Sequence, residues 1–510
     1  MERYEQWPEA NGATTVAPVH HPYEGHPPYE GHPPYEGHPP YGGAADPPAA
    51  AWSGPRHRRS TTIGPSDRLT RSRGGRHRRH LVWLLFWLGV AAVVLPWWLN
   101  TPAGAVTGVD AATVEAGRLT GLLGGYILLV QFLLMSRVGW LERRLGAAEI
   151  LGWHRDLGTV LLFLVLAHLS LVTVGYAGFE GASLLDQTSS LLSGYEDMLS
   201  AYLAAALLVG VGLLAVRTLR RRLRYELWHA LHLASYAVLL FSYGHAFANG
   251  QELAGGVGRA IWTGLYAVVL ASMLWGRLVA PLILNLRHRL RVADVVPEGP
   301  DTASIYLAGR RLDRLRVQAG QHFRWRFLTR GCWWQAHPFS LSAAPNPQWL
   351  RLTIKVVGDH THRLWYLEPG VRVLAEGPSG GLATGRRTRP RALLIAGGSG
   401  IAPVRALLEE LPPGTVVLYR ARHPEDLIFR EELDWLAQQR EAQVWYVLGS
   451  RDDPAPRQAL SPRGLRELVP DVARRDVYLC GPPGLVAAAR RTLRKLRVPR
   501  RQIHVDPFEY

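Results

Sequence analysis

Residues 81–99 read LVWLLFWLGVAAVVLPWWL, a run without a single charged side chain. About 20 apolar residues, rising ~1.5 Å each as a helix, cross the ~30 Å hydrocarbon core of a bilayer. Inside lipid every backbone N–H and C=O must be satisfied within the segment, so this stretch has to be a helix. It lies too far along the chain to be an ordinary cleaved signal peptide. Five further apolar runs follow, near 119–135, 157–175, 199–216, 227–247 and 261–284. The chain therefore reads as an all-α bundle of six transmembrane spans with a different kind of structure after it.

The arginines orient the bundle. Arg56, Arg58, Arg59, Arg68, Arg71, Arg73, Arg76, Arg78 and Arg79 precede the first span against one acid, Asp67. Arg137, Arg143, Arg144 and Arg155 link the second span to the third, and Arg217, Arg220, Arg221, Arg222 and Arg224 link the fourth to the fifth. Arg287, Arg289 and Arg291 follow the sixth. The 176–198 loop has Glu180, Asp186, Glu196 and Asp197 and no base. The positive-inside rule then places both termini in the cytoplasm, with the chain in the cell membrane. The net charge of +17 invites a nucleic-acid reading, but most of this basicity marks a membrane face and its anionic lipids, so no nucleic-acid partner is expected. Two cysteines exclude a disulfide framework and a cysteine-ligated iron–sulfur cluster.

Residues 1–79 form a separate region. Its HPYEG–HPPYEG repeat over 21–43 is too rich in Pro, Gly, Tyr and His to bury a core, so a disordered tail is expected. It is either a plain low-complexity extension or a segment that binds a metal or an adaptor.

Titratable side chains inside a span are costly and mark function. The third span carries His154 and His168, and the fifth carries His229, His232 and His245. The 14-residue spacing is about 21 Å of helical rise and close to four turns; the 13-residue spacing is about 19.5 Å. With both spans running the same way, His154 shares a depth with His232, and His168 with His245. Two imidazoles at one depth are what a six-coordinate haem requires, and two such levels make a transmembrane stack of two haems. The fifth span fits less simply. Thirteen residues leave an ideal helix roughly 140° short of alignment, so a distortion is needed, and Gly244 is a candidate for it. His229 is a spare, structural or supporting.

After about residue 287 the pattern changes. Short β-rich runs with turn signals (SIYLAG, HFRWRF, LRLTIKVV, VRVLAEG) predict an antiparallel β-barrel over 287–388. From 389 to 510 strands alternate with helices, which predicts a parallel α/β domain. There GGSGIAP (397–403) follows the strand ALLIA and opens a helix, suited to a pyrophosphate at a helix N-terminus. CGPPG (480–484) also ends a strand, where open α/β sheets bind ligands.

The combination resembles the ferric reductase and NADPH oxidase superfamily of transmembrane flavocytochromes from about residue 80 onward, making 80–286 the haem-binding transmembrane domain. The resemblance implies His154, His168, His232 and His245 as haem ligands, and FAD and NADPH (or NADH) as further cofactors. HPFSLS is similar to the family's flavin motif. By that similarity His337, Pro338 and Phe339 shape the isoalloxazine pocket, Ser340 lies near flavin N5, and Ser342 completes the set. Gly358 to Thr361 resemble the segment contacting the FAD phosphates, and Gly377 and Gly380 of EGPSGG join the cofactor-binding residues. Gly397, Gly398, Gly400, Ile401 and Pro403 are implied at the nicotinamide-nucleotide pyrophosphate, and Cys480, Gly481 and Pro482 near the nicotinamide. Arg420 or Arg422 is a candidate for the 2′-phosphate. IHVDPFEY resembles the family's C-terminal pattern, with Phe508 stacking on the flavin and Tyr510 as the other candidate; Asp506–Pro507 departs from that pattern. Ser340, Cys480 and Phe508 are thus the implied catalytic positions.

The implied activity is ferric chelate reductase-like: electrons pass from cytoplasmic NAD(P)H through FAD and two haems to an extracytoplasmic acceptor. That acceptor is a ferric chelate, oxygen giving superoxide, or a redox partner protein. A transporter or a sensor with a regulatory nucleotide domain is the competing class.

Overall fold

The computed structural model describes residues 73–506 except 103, 105, 217–221 and 224. The tail repeat and the expected flavin-stacking residues Phe508 and Tyr510 lie outside the described residues.

The membrane half is helical: α1 Arg73–Asn100, α2 Val109–Leu134, α3 Gly139–Leu145, α4 Ala147–Glu180, α5 Leu184–Gly194, α6 Met198–Ala215, α7 Tyr225–His232, α8 Ser235–Asn249, α9 Gly256–Leu274 and α10 Ala280–His288. A π-helical turn, Trp275–Val279, joins α9 to α10. Five stretches among the described residues are long and apolar enough to cross a bilayer: His80–Asn100, Val109–Leu134, Glu149–Glu180, Met198–Ala215 and Gly256–His288. The run expected as a fifth span over 227–247 is instead divided between α7 and α8, neither long enough alone. Around the break, bonds skip three residues rather than four, from Ala234 N to Leu231 O (3.1 Å), Tyr236 N to Leu233 O (3.0 Å) and Ala237 N to Ala234 O (2.9 Å).

α2 is the most buried of these five stretches, with 56% of its apolar window covered. Small residues allow its close approach to α4. A Cβ on Gly117 would lie 3.0 Å from the backbone N of Val172, and one on Gly175 would lie 2.9 Å from that of Val114. In lipid, where apolar side chains gain nothing by leaving solvent, such close backbone packing is what holds helices together.

Two three-stranded antiparallel sheets follow, in the orders β1-β2-β5 and β4-β3-β6. Their strands are β1 Arg291–Gly299, β2 Thr302–Ala308, β3 His322–Phe327, β4 His337–Ser340, β5 Trp349–Lys355 and β6 Val373–Ser379. Single bridges, Arg291 to Arg372 and Leu341 to Leu352, join the two sheets. Between them sit Phe323, Trp325, Phe327, Leu350, Leu352 and Ile354, all fully buried. Period-two alternation in HFRWRF sends these aromatic rings inward and His322, Arg324 and Arg326 to the opposite face. Asn285, near the end of α10, holds β6 by a paired amide contact: its Nδ2 donates to Ala375 O (3.0 Å) and its Oδ1 accepts from Ala375 N (2.8 Å).

The last unit is a five-stranded parallel sheet of order β11-β10-β7-β8-β9. Its strands are β7 Arg391–Gly397, β8 Val416–Ala421, β9 Gln443–Leu448, β10 Arg475–Cys480 and β11 Ile503–Val505. The strand order reverses between β7 and β10, so the crevice beyond their carboxyl ends is the binding position of such sheets. Both glycine-rich loops lie there.

Candidate functional site: two histidine pairs, a flavin face and a nucleotide cleft

The four expected histidines meet in pairs. His154 of α4 faces His232 at the end of α7, with ring centroids 6.1 Å apart and planes at 82°. Further along α4, His168 faces His245 of α8 at 6.3 Å and 58°. Two metal–imidazole bonds of about 2.0 Å, plus about 1.1 Å from each nitrogen to its ring centre, separate two rings on one iron by roughly 6.2 Å. The broken helix supplies part of the missing rotation. A three-residue turn advances about 120° per residue against 100° for an α-helix, so the tightened stretch turns His245 towards His168. The distortion lies at Leu233–Ala234, not at Gly244.

The outer pair is braced. His168 Nδ1 lies 2.7 Å from the carbonyl oxygen of Gly117, so Nδ1–H donates there and the Nε2 lone pair is left facing His245. The pair lines a mostly apolar cavity of about 320 Å³ with Leu128, Val165, Leu208 and Val238. Tyr202 also lines it, and its buried hydroxyl makes no hydrogen bond. At one end Arg118 is paired with Glu115 (2.6 Å) and with Glu252. At the inner pair, Trp228 stacks on His232 at 5.3 Å and 12°. Among the described residues no three His, Cys, Asp or Glu are grouped to hold a bare metal ion. Two imidazoles per level suffice only where a macrocycle supplies the remaining ligands. An apolar slot with an orphaned hydroxyl fits such a group.

The flavin motif divides between two faces. In the β3–β4 register His337 pairs with Trp325 and Phe339 with Phe323, so these side chains lie on the core side, where His337 and Phe339 stack at 5.7 Å. Pro338 pairs with Arg324 and Ser340 with His322 on the opposite face. Ser340 is buried, and its Oγ makes no hydrogen bond. That orphaned hydroxyl fits a ligand atom at the place expected for flavin N5. Ser342, expected at the cofactor, is fully buried instead: its hydroxyl accepts from Thr353 Oγ1 (2.7 Å) and Arg351 Nε (3.1 Å). Gly358 precedes α11 (Asp359–Trp365), and Thr361 closes that turn, accepting from Val357 N (2.9 Å) and Gly358 N (3.2 Å). Gly377 lies in β6 and Gly380 just after it.

This face meets the membrane half directly. Arg137 forms an ion pair with Glu376, Ser379 Oγ donates to Glu142 (3.1 Å), and Arg386 Nη2 donates to Glu142 O (3.2 Å). His322 Nδ1 lies 3.0 Å from Asp506 Oδ2. Burial opposes the charge on His322, but the Asp506 carboxylate more than offsets it, raising the imidazole above its ordinary value.

In the α/β unit the two glycine loops touch. A Cβ on Gly400 would stand 2.4 Å from Cys480 O, so only glycine fits there. Gly397 and Gly398 lead into α12 (Ile401–Glu410), while Ile401 and Pro403 are buried and fix the turn from behind. Cys480 is buried, and desolvation pushes its thiol well above the ordinary range, so it is a neutral thiol. Beyond Gly397, Gly398 and Pro482 opens a cleft of about 890 Å³. Both Arg420 and Arg422 line it, together with Lys355, Arg451, Arg457 and Arg491, against Asp426 and Asp452. Burial, and then the charges of Arg422 and Arg451, lower the Arg420 value. These crowded cations fit a polyanion. Sequence reasoning missed Lys355, Arg451, Arg457 and Arg491, which come from separate elements with no local motif, and also the Gly117 brace.

Three families match successive parts of the chain: "Ferric reductase like transmembrane component" over 120–243, "FAD-binding domain" over 289–381 and "Oxidoreductase NAD-binding domain" over 394–491. The chain is similar to ferredoxin–NADP reductase B of Sorangium cellulosum, at 31% identity over 191 residues, covering 34% of this chain and 77% of the relative. It is 30% identical over 236 residues to the ferredoxin reductase component of 3-ketosteroid-9-alpha-monooxygenase from Mycolicibacterium smegmatis, covering 43% of this chain and 65% of that protein. The crystal structure of the FAD/NAD-binding domain of nitric oxide dioxygenase from Vibrio cholerae matches with a TM-score of 0.37 at 25% identity, covering 44% of this chain and 99% of that one.

Fold, site and relatives define a membrane-bound NAD(P)H-dependent oxidoreductase with an FAD- and NAD-binding module. The chain belongs to the ferric reductase superfamily of transmembrane oxidoreductases.

Proposed function

We propose that this protein carries electrons from cytoplasmic NADPH across the cell membrane to an extracytoplasmic acceptor of the ferric chelate class. The bundle (80–286) makes six crossings, the fifth through the broken α7–α8 pair, with both termini cytoplasmic. Residues 287–388 hold FAD as a barrel-like domain and 389–510 hold the nicotinamide nucleotide. His154 with His232, and His168 with His245, ligate two b-type haems. The observation that carries this reading is the pair of centroid separations, 6.1 and 6.3 Å, at two levels of one bundle.

The bound groups supply hydride acceptance, splitting of the electron pair and one-electron transfer. The chain supplies placement. Gly400 and Gly481 let the loop backbones close around the nucleotide, and the arginine cleft takes its phosphates. Of the expected pair, Arg420 and Arg422 both line that cleft, which favours NADPH over NADH. Ser340 offers its free hydroxyl where the flavin edge is expected, and Arg137–Glu376 holds that face against the bundle. With His154 and His232, and His168 and His245, holding the two irons, no coordination position would remain open, and the acceptor would be reduced by outer-sphere contact.

The test is a dithionite-reduced spectrum of the purified protein, followed by anaerobic NADPH. Low-spin b-type bands that NADPH also produces support the reading; their absence sinks it in favour of a transporter or sensor. His168→Ala should remove one haem and leave the other. Steady-state NADPH oxidation with oxygen or a ferric chelate as sole acceptor then separates superoxide production from ferric reduction.

A further inference from the structure

Each NADPH delivers one hydrogen with two electrons, whereas two one-electron acceptors take electrons only. The balance is NADPH + 2 Fe(III) → NADP+ + H+ + 2 Fe(II), so every turnover must discharge one proton when the flavin N5–H bond breaks. No group in the scheme above receives it.

We propose that His322, oriented by Asp506, is the proton-exchange site of the flavin face. The step forms an N–H bond at the imidazole as the flavin N–H bond breaks, and cytoplasmic water then takes the proton. This inference rests on the functional reading above.

Three observations converge on the pair. His322 is the cross-strand partner of Ser340, so both side chains stand on one face of the sheet. Nδ1–H of His322 donates to Asp506 Oδ2 at 3.0 Å, which fixes the tautomer and leaves the Nε2 lone pair as proton acceptor. The backbone makes room for the contact: Gly380 has φ +115°, and a Cβ there would stand 2.6 Å from Asp506 Oδ2 and 3.0 Å from His322 Nδ1. A side chain at 380 would therefore separate the two partners. The His322 side chain keeps 23% of its exposure, enough to exchange with water.

The charged groups around the imidazole come from every element packed on it. Asp506 approaches from the end of β11, Glu142 from α3, and Arg137 from the α2–α3 link. Glu142 is itself tied to Ser379 and Arg386 beside the pair. The two carboxylates favour the protonated ring and Arg137 opposes it. An acceptor whose affinity for protons lies near the operating pH is the efficient one.

The experiment uses the full-length, FAD-loaded protein in detergent. Anaerobic rapid mixing with NADPH follows flavin reduction and then haem reduction, from pH 5.5 to 8.5, in wild type, His322→Gln and Asp506→Asn. Flavin reduction should stay within about twofold of wild type. Haem reduction should slow roughly a hundredfold, the lower end of the range for a lost general base. It should also lose its pH dependence in His322→Gln and recover with added imidazole. Separately, histidine NMR on the wild type should show one imidazole titrating above its ordinary value, absent in His322→Gln and shifted down in Asp506→Asn. Retained FAD confirms folding; if His322→Gln loses FAD, Asp506→Asn and its NMR shift decide. An unchanged pH profile and no slowing in a flavin-replete variant overturn the inference. Absence of NADPH-driven haem reduction in the wild type instead overturns the functional reading, while the NMR titration still reports on the pair.

Discussion

Gly121 on α2 lies directly against the imidazole of His168: a Cβ at that position would come within 2.6 Å of Nδ1 and 2.8 Å of Cε1. One turn earlier, Gly117 accepts the Nδ1–H bond. A glycine that clears the ring and a carbonyl that orients it form the wall behind one proposed haem ligand.

Gly121→Val should therefore tilt His168 out of line and break its bond to Gly117. Losing such an orienting contact typically weakens metal binding by roughly 10–100-fold. The expected outcome is loss of the outer haem with the inner retained, read as half the b-type absorbance per protein in the reduced-minus-oxidised spectrum.

The α7–α8 break makes a second forecast. Inserting one alanine after Ala234 rotates everything beyond it by about 100°, which carries His245 away from His168 but leaves His232 in place. The inner haem should survive and the outer one should not. Gly244→Ala is the control: its Cβ would meet Asp197 Oδ2 at 3.4 Å, an ordinary contact, so both haems should persist.

The sequence showed the four histidines because charge asymmetry gave each span a direction and rise gave each residue a depth. It did not show how 13 residues bring His245 into line, since Leu233 and Ala234 are unremarkable helix formers and neither side chain announces the three-residue bonds there. Gly117 and Gly121 were invisible for a related reason: glycine is frequent in membrane helices, and only the neighbouring helix reveals which ones carry a load. Ser340 and Ser342 show what a motif leaves out. It lists residues in order, whereas the strand and the turn after it put Ser340 on the His322 face of the sheet and Ser342 into the joint with Arg351. GGSG and CGPP were legible because close backbone approach demands glycine wherever such loops meet.

The arginine cleft predicts cofactor choice. Arg420→Ala and Arg451→Ala each remove a cation from a site of about 890 Å³ that Arg422, Arg457 and Arg491 also line. A hydrogen bond to a charged group is worth about 1.5–3 kcal/mol, so each change should raise the KM for NADPH roughly tenfold or more. The KM for NADH should move little, and the NADPH effect should shrink at high salt. Equal losses for both nucleotides would place these arginines away from the 2′-phosphate.

The joint between the FAD and nucleotide units makes the last prediction. Arg351 and Arg405 are both buried and share one carboxylate, Glu432: Arg351 Nη2 lies 3.1 Å from it, and Arg405 also pairs with it and with Glu409. Both guanidinium groups also donate to the Ser342 carbonyl, at 2.9 and 3.3 Å, and Arg351 lies 4.8 Å over the Phe429 ring. Burial, and then the neighbouring Arg351 charge, pull Arg405 down to about 10, so this is a site where Glu432 is the one carboxylate that both cations share. Glu432→Gln leaves both without their shared counter-charge. A broken buried pair costs about 3–5 kcal/mol, and partial exposure of Glu432 brings the expectation to ~2–3 kcal/mol. The thermal midpoint of the FAD-loaded protein should fall by several degrees. Because α12 opens at the nucleotide loop while Ser342 ends the flavin motif, flavin reduction by NADPH should slow as well. Replacing all three charges at once, Arg351→Met, Arg405→Met and Glu432→Leu, removes the uncompensated cations, and should cost less stability than Glu432→Gln alone while still slowing flavin reduction.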